Sequence, residues 1–431
     1  MEKSNIDEKI KLLTGSGMWH TQEVKGLPSV HLSDGPHGLR KQEEKERQNN
    51  VSLVSTCYPT ASALACSWDV TAAERLGRAV AKEAWNADVA VLLGPGINMK
   101  RSPLCGRNFE YFSEDPFLAG RLGAAYVSAA QGEDVAVSLK HFAANNQETN
   151  RQTSNSQIDE RALREIYLSA FEYVVKTARP ATVMASYNRL NGYYACENRH
   201  LLTEILREEW GFDGVVISDW GACADLAKAV KAGMDLEMPD SHGIHARKLK
   251  AALKAGEISE EDIAKAAGRI EKLVKKYAPD NRAKKDTSDA HEIAKQLACE
   301  SAVLLKNDGI LPISQDADVV VIGALAEQMR FQGGGSSHVN SYKVTSALEA
   351  AKGLDVTYAS GYDTNTAESD EALLEEAQEA AKNADVAVVF VGITDAMESE
   401  GMDRRTLSMP KNHEALVKAV SEVQKNTVVV V

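Results

Sequence analysis

Acidic, basic and aromatic side chains stand where the apolar runs of this chain stop. Val215-Val216-Ile217-Ser218 gives way to Asp219 and Trp220, and Val30-His31-Leu32-Ser33 to Asp34-Gly35-Pro36-His37-Gly38. Val135-Ala136-Val137-Ser138-Leu139 leads into Lys140-His141 and on to Arg151, and Thr182-Val183-Met184-Ala185-Ser186 leads into Tyr187. A carboxylate in such a place can serve as a nucleophile or a base. Each residue also has a plainer role. Asp219 fits a helix N-cap and Asp34 a turn. Lys140 fits an ion pair, His141 a satisfied core histidine, and Tyr187 a core ring with its hydroxyl on backbone. Polar groups recurring at successive run ends point to one shared pocket.

The elements that must position these groups are strands. Their apolar runs alternate with amphipathic stretches such as Glu160 to Leu168, which predicts parallel βα units. A closed barrel is expected, since βα barrels take about 250 residues and carry their sites at the C-terminal strand ends. A doubly wound sheet is the alternative. After Tyr277 the polar stretch Ala278 to Asp286 reads as a linker. A second, smaller series follows, with runs at Val319 to Gly323, Asp355 to Tyr358, Val386 to Gly392 and the closing valines Val428 to Val431. Four consecutive valines read as a strand buried on both faces.

The chain has 431 residues, with 49 Lys plus Arg against 62 Asp plus Glu and a net charge of −13. Its length allows two or three domains at roughly 150 residues each. The acidic balance argues against a nucleic-acid partner, which needs a basic face. No run of about 18 apolar residues predicts a membrane helix. Met1 to Gly15 is charged and lacks the apolar core of a secretory signal. The six cysteines are scattered without a C-x-x-C pair, so neither a disulfide framework nor a zinc finger is expected. The expectation is a cytoplasmic protein with reduced thiols.

Other chemistries find no motif. There is no G-x-S-x-G elbow, no phosphate-binding G-x-x-x-x-G-K-[ST] loop and no H-E-x-x-H. His242 and His245 are read as a surface loop rather than a metal site. Gly333-Gly334-Gly335-Ser336-Ser337 can cradle a phosphate or a sugar, but a glycine run outside its strand-helix context is weak evidence.

Seven stretches carry a resemblance in order along the chain. They are Leu32 to Arg40, Cys105 to Pro116 (CGRNFEYFSEDP), Lys140 to Arg151 (KHFAANNQETNR), Ser186 to Gly192 (SYNRLNG), Gly211 to Trp220 (GFDGVVISDW), Ala302 to Pro312 (AVLLKNDGILP) and Glu398 to Arg404 (ESEGMDR). Together they make the chain resemble glycoside hydrolase family 3, in its β-glucosidase branch. The resemblance implies a TIM-like barrel over 1–277, a linker over 278–290 and a partial α/β sandwich over 291–431. It implies Asp219 as the nucleophile of a retaining reaction. Asp34, Arg107, Lys140, His141, Arg151 and Tyr187 would hold the terminal sugar, and Trp220 would line the pocket. Glu400 would be the acid/base, with Glu398 two residues away as the alternative, and Ser336 would touch sugar. No metal or cofactor is implied.

Retaining hydrolysis needs two carboxyls about 5–5.5 Å apart, one ionised and one protonated. Asp219 is therefore expected ionised beside Lys140 and Arg151, and Glu400 protonated with a raised pKa. The implied substrate is a β-glucoside or short oligosaccharide, with no membrane partner. A β-xylosidase or α-arabinosidase is an alternative. A β-N-acetylglucosaminidase is disfavoured because Lys140-His141-Phe142 runs on into Ala143-Ala144 rather than Pro-Gly-His-Gly. A catalytically silent sugar-binding protein or incomplete subunit is the alternative from another class. Family members usually continue well past the closing valines. Val428 to Val431 is therefore expected to be an interior strand cut short, completed by a missing C-terminal portion or by a second copy.

Overall fold

The structure is a computed structural model describing residues 6–42, 51–279 and 283–431. Part of the expected linker, 280–282, lies outside the described residues. Five apolar runs form parallel strands: β3 (His31–Asp34), β4 (Val89–Leu93), β5 (Ala136–Phe142), β6 (Thr182–Ala185) and β7 (Val215–Ser218). All are buried along their length. Helices packed outside bury their other face, as parallel sheets require.

What closes this sheet has too little apolar sequence to be read as strand. A hairpin of β1 (Gly15–Ser16) and β2 (His20–Thr21) adds antiparallel to β3. The segment Asp235 to Met238 then bridges the two edges. Leu236 pairs in parallel with Ile217, and Glu237 with Thr14. The Gly15 N–H donates to the Glu237 carbonyl at 2.9 Å. The sheet thus closes into a barrel, and the doubly wound alternative is ruled out.

Helix starts are set by local capping. Asp69, Asp115 and Asp225 accept backbone N–H bonds at the first turns of their helices, and Ser259 with Asp262 forms a capping box. Asp225, not Asp219, caps the helix that follows β7.

The second layer is a four-stranded parallel sheet of β8 (Val319–Ile322), β9 (Val356–Ala359), β10 (Val386–Phe390) and β11 (Thr427–Val430), in the order β9-β8-β10-β11. It has its own small core, centred on Val320, Ile322, Val389, Leu416 and Val420. Two expectations are corrected here. Strand β11 is not buried on both faces: it lies at the sheet edge, pairs only with β10 among the described strands, and leaves Val429 and Val430 exposed. The helix Ala290–Ser301, assigned from sequence to the second domain, packs Ala290, Ala294 and Leu297 into the barrel core.

Candidate active site

Asp219 follows the last residue of β7, and its N–H is held by the Ala185 carbonyl at 2.9 Å. Its Oδ1 accepts the Trp220 N–H at 2.7 Å. Its Oδ2 is buried and has no hydrogen-bond partner. His141 Nε2 stands 3.8 Å from that oxygen, too long for a hydrogen bond. Burial raises the Asp219 pKa, while Arg107, the Trp220 N–H and Lys140 oppose the rise. The sequence points only to the lowering by nearby cations. The cost of enclosing the carboxylate exceeds it.

The other strand-end residues meet here. The Asp34 carboxylate pairs with Arg40 at 3.1 Å, both side chains being buried. Its turn needs Gly35, whose φ is +131°; a Cβ there would come 2.1 Å from the Gly38 carbonyl oxygen. Lys140 and His141 lie in the last three residues of β5, and both are buried. His141 Nδ1 bonds the Tyr111 hydroxyl at 3.0 Å, and its backbone is clasped by the Asn98 amide at 2.7 and 2.8 Å. Burial and three neighbouring cations hold its pKa well below the usual histidine value, so the ring is neutral. Tyr187 donates to the Trp220 carbonyl at 3.2 Å, and its ring lies 4.5 Å from the Arg151 guanidinium. Trp220 donates from Nε1 to the Met18 carbonyl at 2.9 Å and packs on Trp19, with ring centroids 5.2 Å apart.

The second layer delivers two loops to this cluster. Glu400 Oε1 accepts from Arg151 at 2.8 Å and faces Arg107 at 3.5 Å. Glu400 Oε2 accepts the Ser336 N–H at 2.6 Å, and the Ser336 hydroxyl lies 3.4 Å from Arg107. The glycine run now has a packing reason. A Cβ on Gly333 would strike the Phe109 ring at 2.4 Å, and one on Gly335 would strike Glu400 at 2.3 Å. The expected raised pKa of Glu400 is overturned. Burial pushes it up, but Arg107, Arg151 and the Ser336 N–H hold it well below the ordinary range. Glu398 is engaged elsewhere. Arg330 donates to its carboxylate at 3.0 Å, and it lines a separate cavity of about 910 Å³ with Lys100 and Phe331.

Three supporting residues were quoted within motifs but given no role from sequence. The Asp403 carboxylate accepts the N–H groups of Gly106, Glu148 and Thr149 at 3.1, 2.8 and 2.9 Å, tying the Glu400 loop to two barrel loops. Glu148 accepts from both Arg151 and the Gly401 N–H at 2.8 Å. Glu110 accepts from Arg107 Nε at 2.6 Å. The visible signal is a run of charges; Glu110 and Glu148 find an arginine three residues away, whereas the partners of Asp403 and the Gly401 N–H that meets Glu148 lie at least 253 residues away along the chain.

Comparison with known proteins agrees with this geometry. Residues 36–273 match the glycosyl hydrolase family 3 N-terminal domain, and residues 302–431 match its C-terminal domain. The chain belongs to glycosyl hydrolase family 3: a TIM-like barrel followed by an α/β sandwich domain. It is 47% identical to the thermostable beta-glucosidase B of Acetivibrio thermocellus, covering 100% of this chain and 58% of that protein. It is 45% identical to an exo-alpha-(1->6)-L-arabinopyranosidase of Bifidobacterium longum, covering 99% and 58%. Among solved structures it resembles a Bifidobacterium adolescentis beta-glucosidase (TM-score 0.93, 45% identity, 99% of this chain and 63% of the other). It also resembles Thermotoga neapolitana beta-glucosidase 3B in complex with glucose (TM-score 0.89, 32% identity, 99% and 67%). The chain thus spans about three-fifths of the length of these curated relatives.

Proposed function

We propose that this protein is a retaining β-glucosidase that releases terminal β-D-glucose through a covalent intermediate on Asp219. The observation that carries this is the buried, unpartnered Oδ2 of Asp219, set among Arg107, Lys140 and His141, with Glu400 presented from the second layer. Such an oxygen is free to attack an anomeric carbon. As the C–O bond to the leaving group breaks, Glu400 gives that oxygen a proton; it then takes one from the water that releases the sugar. Asp34, Lys140, His141, Arg151 and Arg107 offer the acceptors and donors for sugar hydroxyls. Trp220, backed by Trp19, offers an apolar wall. The Arg330 pairing of Glu398 supports Glu400 as the acid/base. No residue of this set calls for a metal or cofactor.

A second reading has support in the arabinopyranosidase relative, whose identity is nearly the same. An α-L-arabinopyranoside lacks the hydroxymethyl group of glucose, a difference worth about 1–3 kcal/mol in a fitted pocket, and it also carries the C4 hydroxyl in the opposite, axial orientation. Hydrolysis of nitrophenyl β-D-glucopyranoside against nitrophenyl α-L-arabinopyranoside ranks the two. Glucose binding without hydrolysis of either would instead favour the silent sugar-binding alternative.

Asp219→Ala is expected to lose roughly 10⁴-fold or more in kcat. Glu400→Ala is expected to lose on the order of 10²–10⁴-fold. Added azide separates the two roles. In Asp219→Ala it attacks from the vacated face and gives a glycosyl azide of inverted configuration. In Glu400→Ala it attacks the glycosyl-enzyme and gives the retained one. Full activity in Asp219→Ala would sink the nucleophile assignment. For partners, exposed Val303 to Leu305 and Val429 to Val431 support packing against further polypeptide or a second copy, read out by light scattering. The free cysteines fit a cytoplasmic location, checked by fractionating cells.

A further inference from the structure

Behind the nucleophile loop, three side chains from three elements converge. Cys223 comes from the loop after β7, Glu237 from the segment that closes the barrel, and His245 from the first turn of the helix Ile244–Lys254. A sulfur, a carboxylate oxygen and a ring nitrogen from these residues all lie within 4.8 Å of one another. Glu237 bonds His245 Nδ1 directly. Ser241 braces both: its hydroxyl donates to Glu237 at 3.3 Å and accepts the His245 N–H at 3.3 Å. Cys223 and Glu237 are buried, whereas the His245 side chain is 17% exposed and leaves a path from solvent.

Acidic side chains stand around the site, Glu197 and Asp225 near Cys223 and Asp240 near Glu237; of these, Asp225 pairs with Lys228 at 3.5 Å and Asp240 faces His242 at 3.9 Å. We infer that Cys223, Glu237 and His245 form a binding site for a thiophilic divalent cation of the Zn²⁺ class. A thiolate, an imidazole and a carboxylate are a donor set that suits Zn²⁺, with the fourth tetrahedral position left to water. Mg²⁺ and Ca²⁺, which prefer all-oxygen shells, are excluded by the sulfur. On binding, the Cys223 thiol loses its proton to solvent, and the Glu237–His245 hydrogen bond gives way to two bonds to the ion. The ion would tie the loop after Asp219 to the closing strand and its following helix. This site is independent of the hydrolytic reading, because none of its three ligands belongs to the sugar cluster.

The test uses the full chain freed of metal with a chelator and titrated with Zn²⁺ alone. One equivalent is expected to bind by calorimetry and to raise the melting temperature. Cys223→Ser and His245→Ala are each expected to weaken this binding by more than the roughly 10–100-fold that loss of an outer-shell partner costs. Co²⁺ in place of Zn²⁺ is expected to show a thiolate-to-metal charge-transfer band on the wild-type chain, a readout that needs no variant to fold. Absence of Zn²⁺ binding, a Co²⁺ complex without that band, or wild-type affinity in both variants would each overturn the site.

Discussion

Single residues here are governed by how burial and charge share control of a proton. Burial lifts Asp34 from its ordinary 3.8 to about 6 despite Lys140 and Arg40. A protonated Asp34 loses acceptor capacity toward sugar hydroxyls, so kcat/KM is expected to fall below about pH 6. The residual activity of Asp34→Asn should lack that acid limb. The sign for stability follows from linkage. Between 3.8 and about 6 the folded chain binds more protons at this site than the unfolded chain does. This group therefore lowers stability as pH rises through the window, with no further change above it. Glu400 is the opposite case, ionised by Arg107 and Arg151 while no sugar occupies their donors. Arg151→Met removes one of these cations and should move the basic limb of kcat, which reports Glu400 in the sugar complex, to higher pH. An unmoved limb would assign it to another group.

At the scale of elements, two loops of the second layer complete a site begun by barrel strands. Asp403 is their anchor, because one carboxylate satisfies three backbone N–H groups on two barrel loops. Hydrogen bonds to a charged group are worth about 1.5–3 kcal/mol each. Asp403→Ala should therefore slow substrates with poor leaving groups tenfold or more, since these need the proton from Glu400. Dinitrophenyl glucosides, whose leaving group needs little protonation, should be nearly unaffected. Equal losses on both substrates would point to general destabilisation instead. Gly335→Ala tests the facing loop. Gly335 has a φ of +106°, and the added methyl would displace Glu400. Activity is expected to fall without a matching fall in melting temperature.

At the scale of the whole molecule, the buried apolar side chains gather in two separate cores. The barrel core runs through β3 to β7 and the helices around them, whereas the second layer has a far smaller cluster of its own. Local opening free energy follows buried apolar contact. Backbone amides of β8 to β11 are therefore expected to exchange hydrogen faster than those of β4 to β7. Matched protection in both sheets would show that the two layers open as one unit.

Much of this was legible from order along the chain. The five central strands were visible because parallel strands buried on both faces read as continuous apolar runs, and the site residues were visible because polar groups follow those runs directly. The hairpin β1–β2 and the segment Asp235 to Met238 were not visible, because strands of two residues and an alternating Asp-Leu-Glu carry no such signature. Nor could sequence separate Glu400 from Glu398: both lie in one charged loop, and only the fold aims one at Arg107 and Arg151 and the other at Arg330. His245 read as part of a surface loop until the fold brought Glu237 and Cys223 beside it. Local pattern thus determined the βα repeat and the residue types available for chemistry. Which of them meet, and in which protonation state, was decided by tertiary structure, because burial and Coulomb fields depend on neighbours up to 297 residues away along the chain.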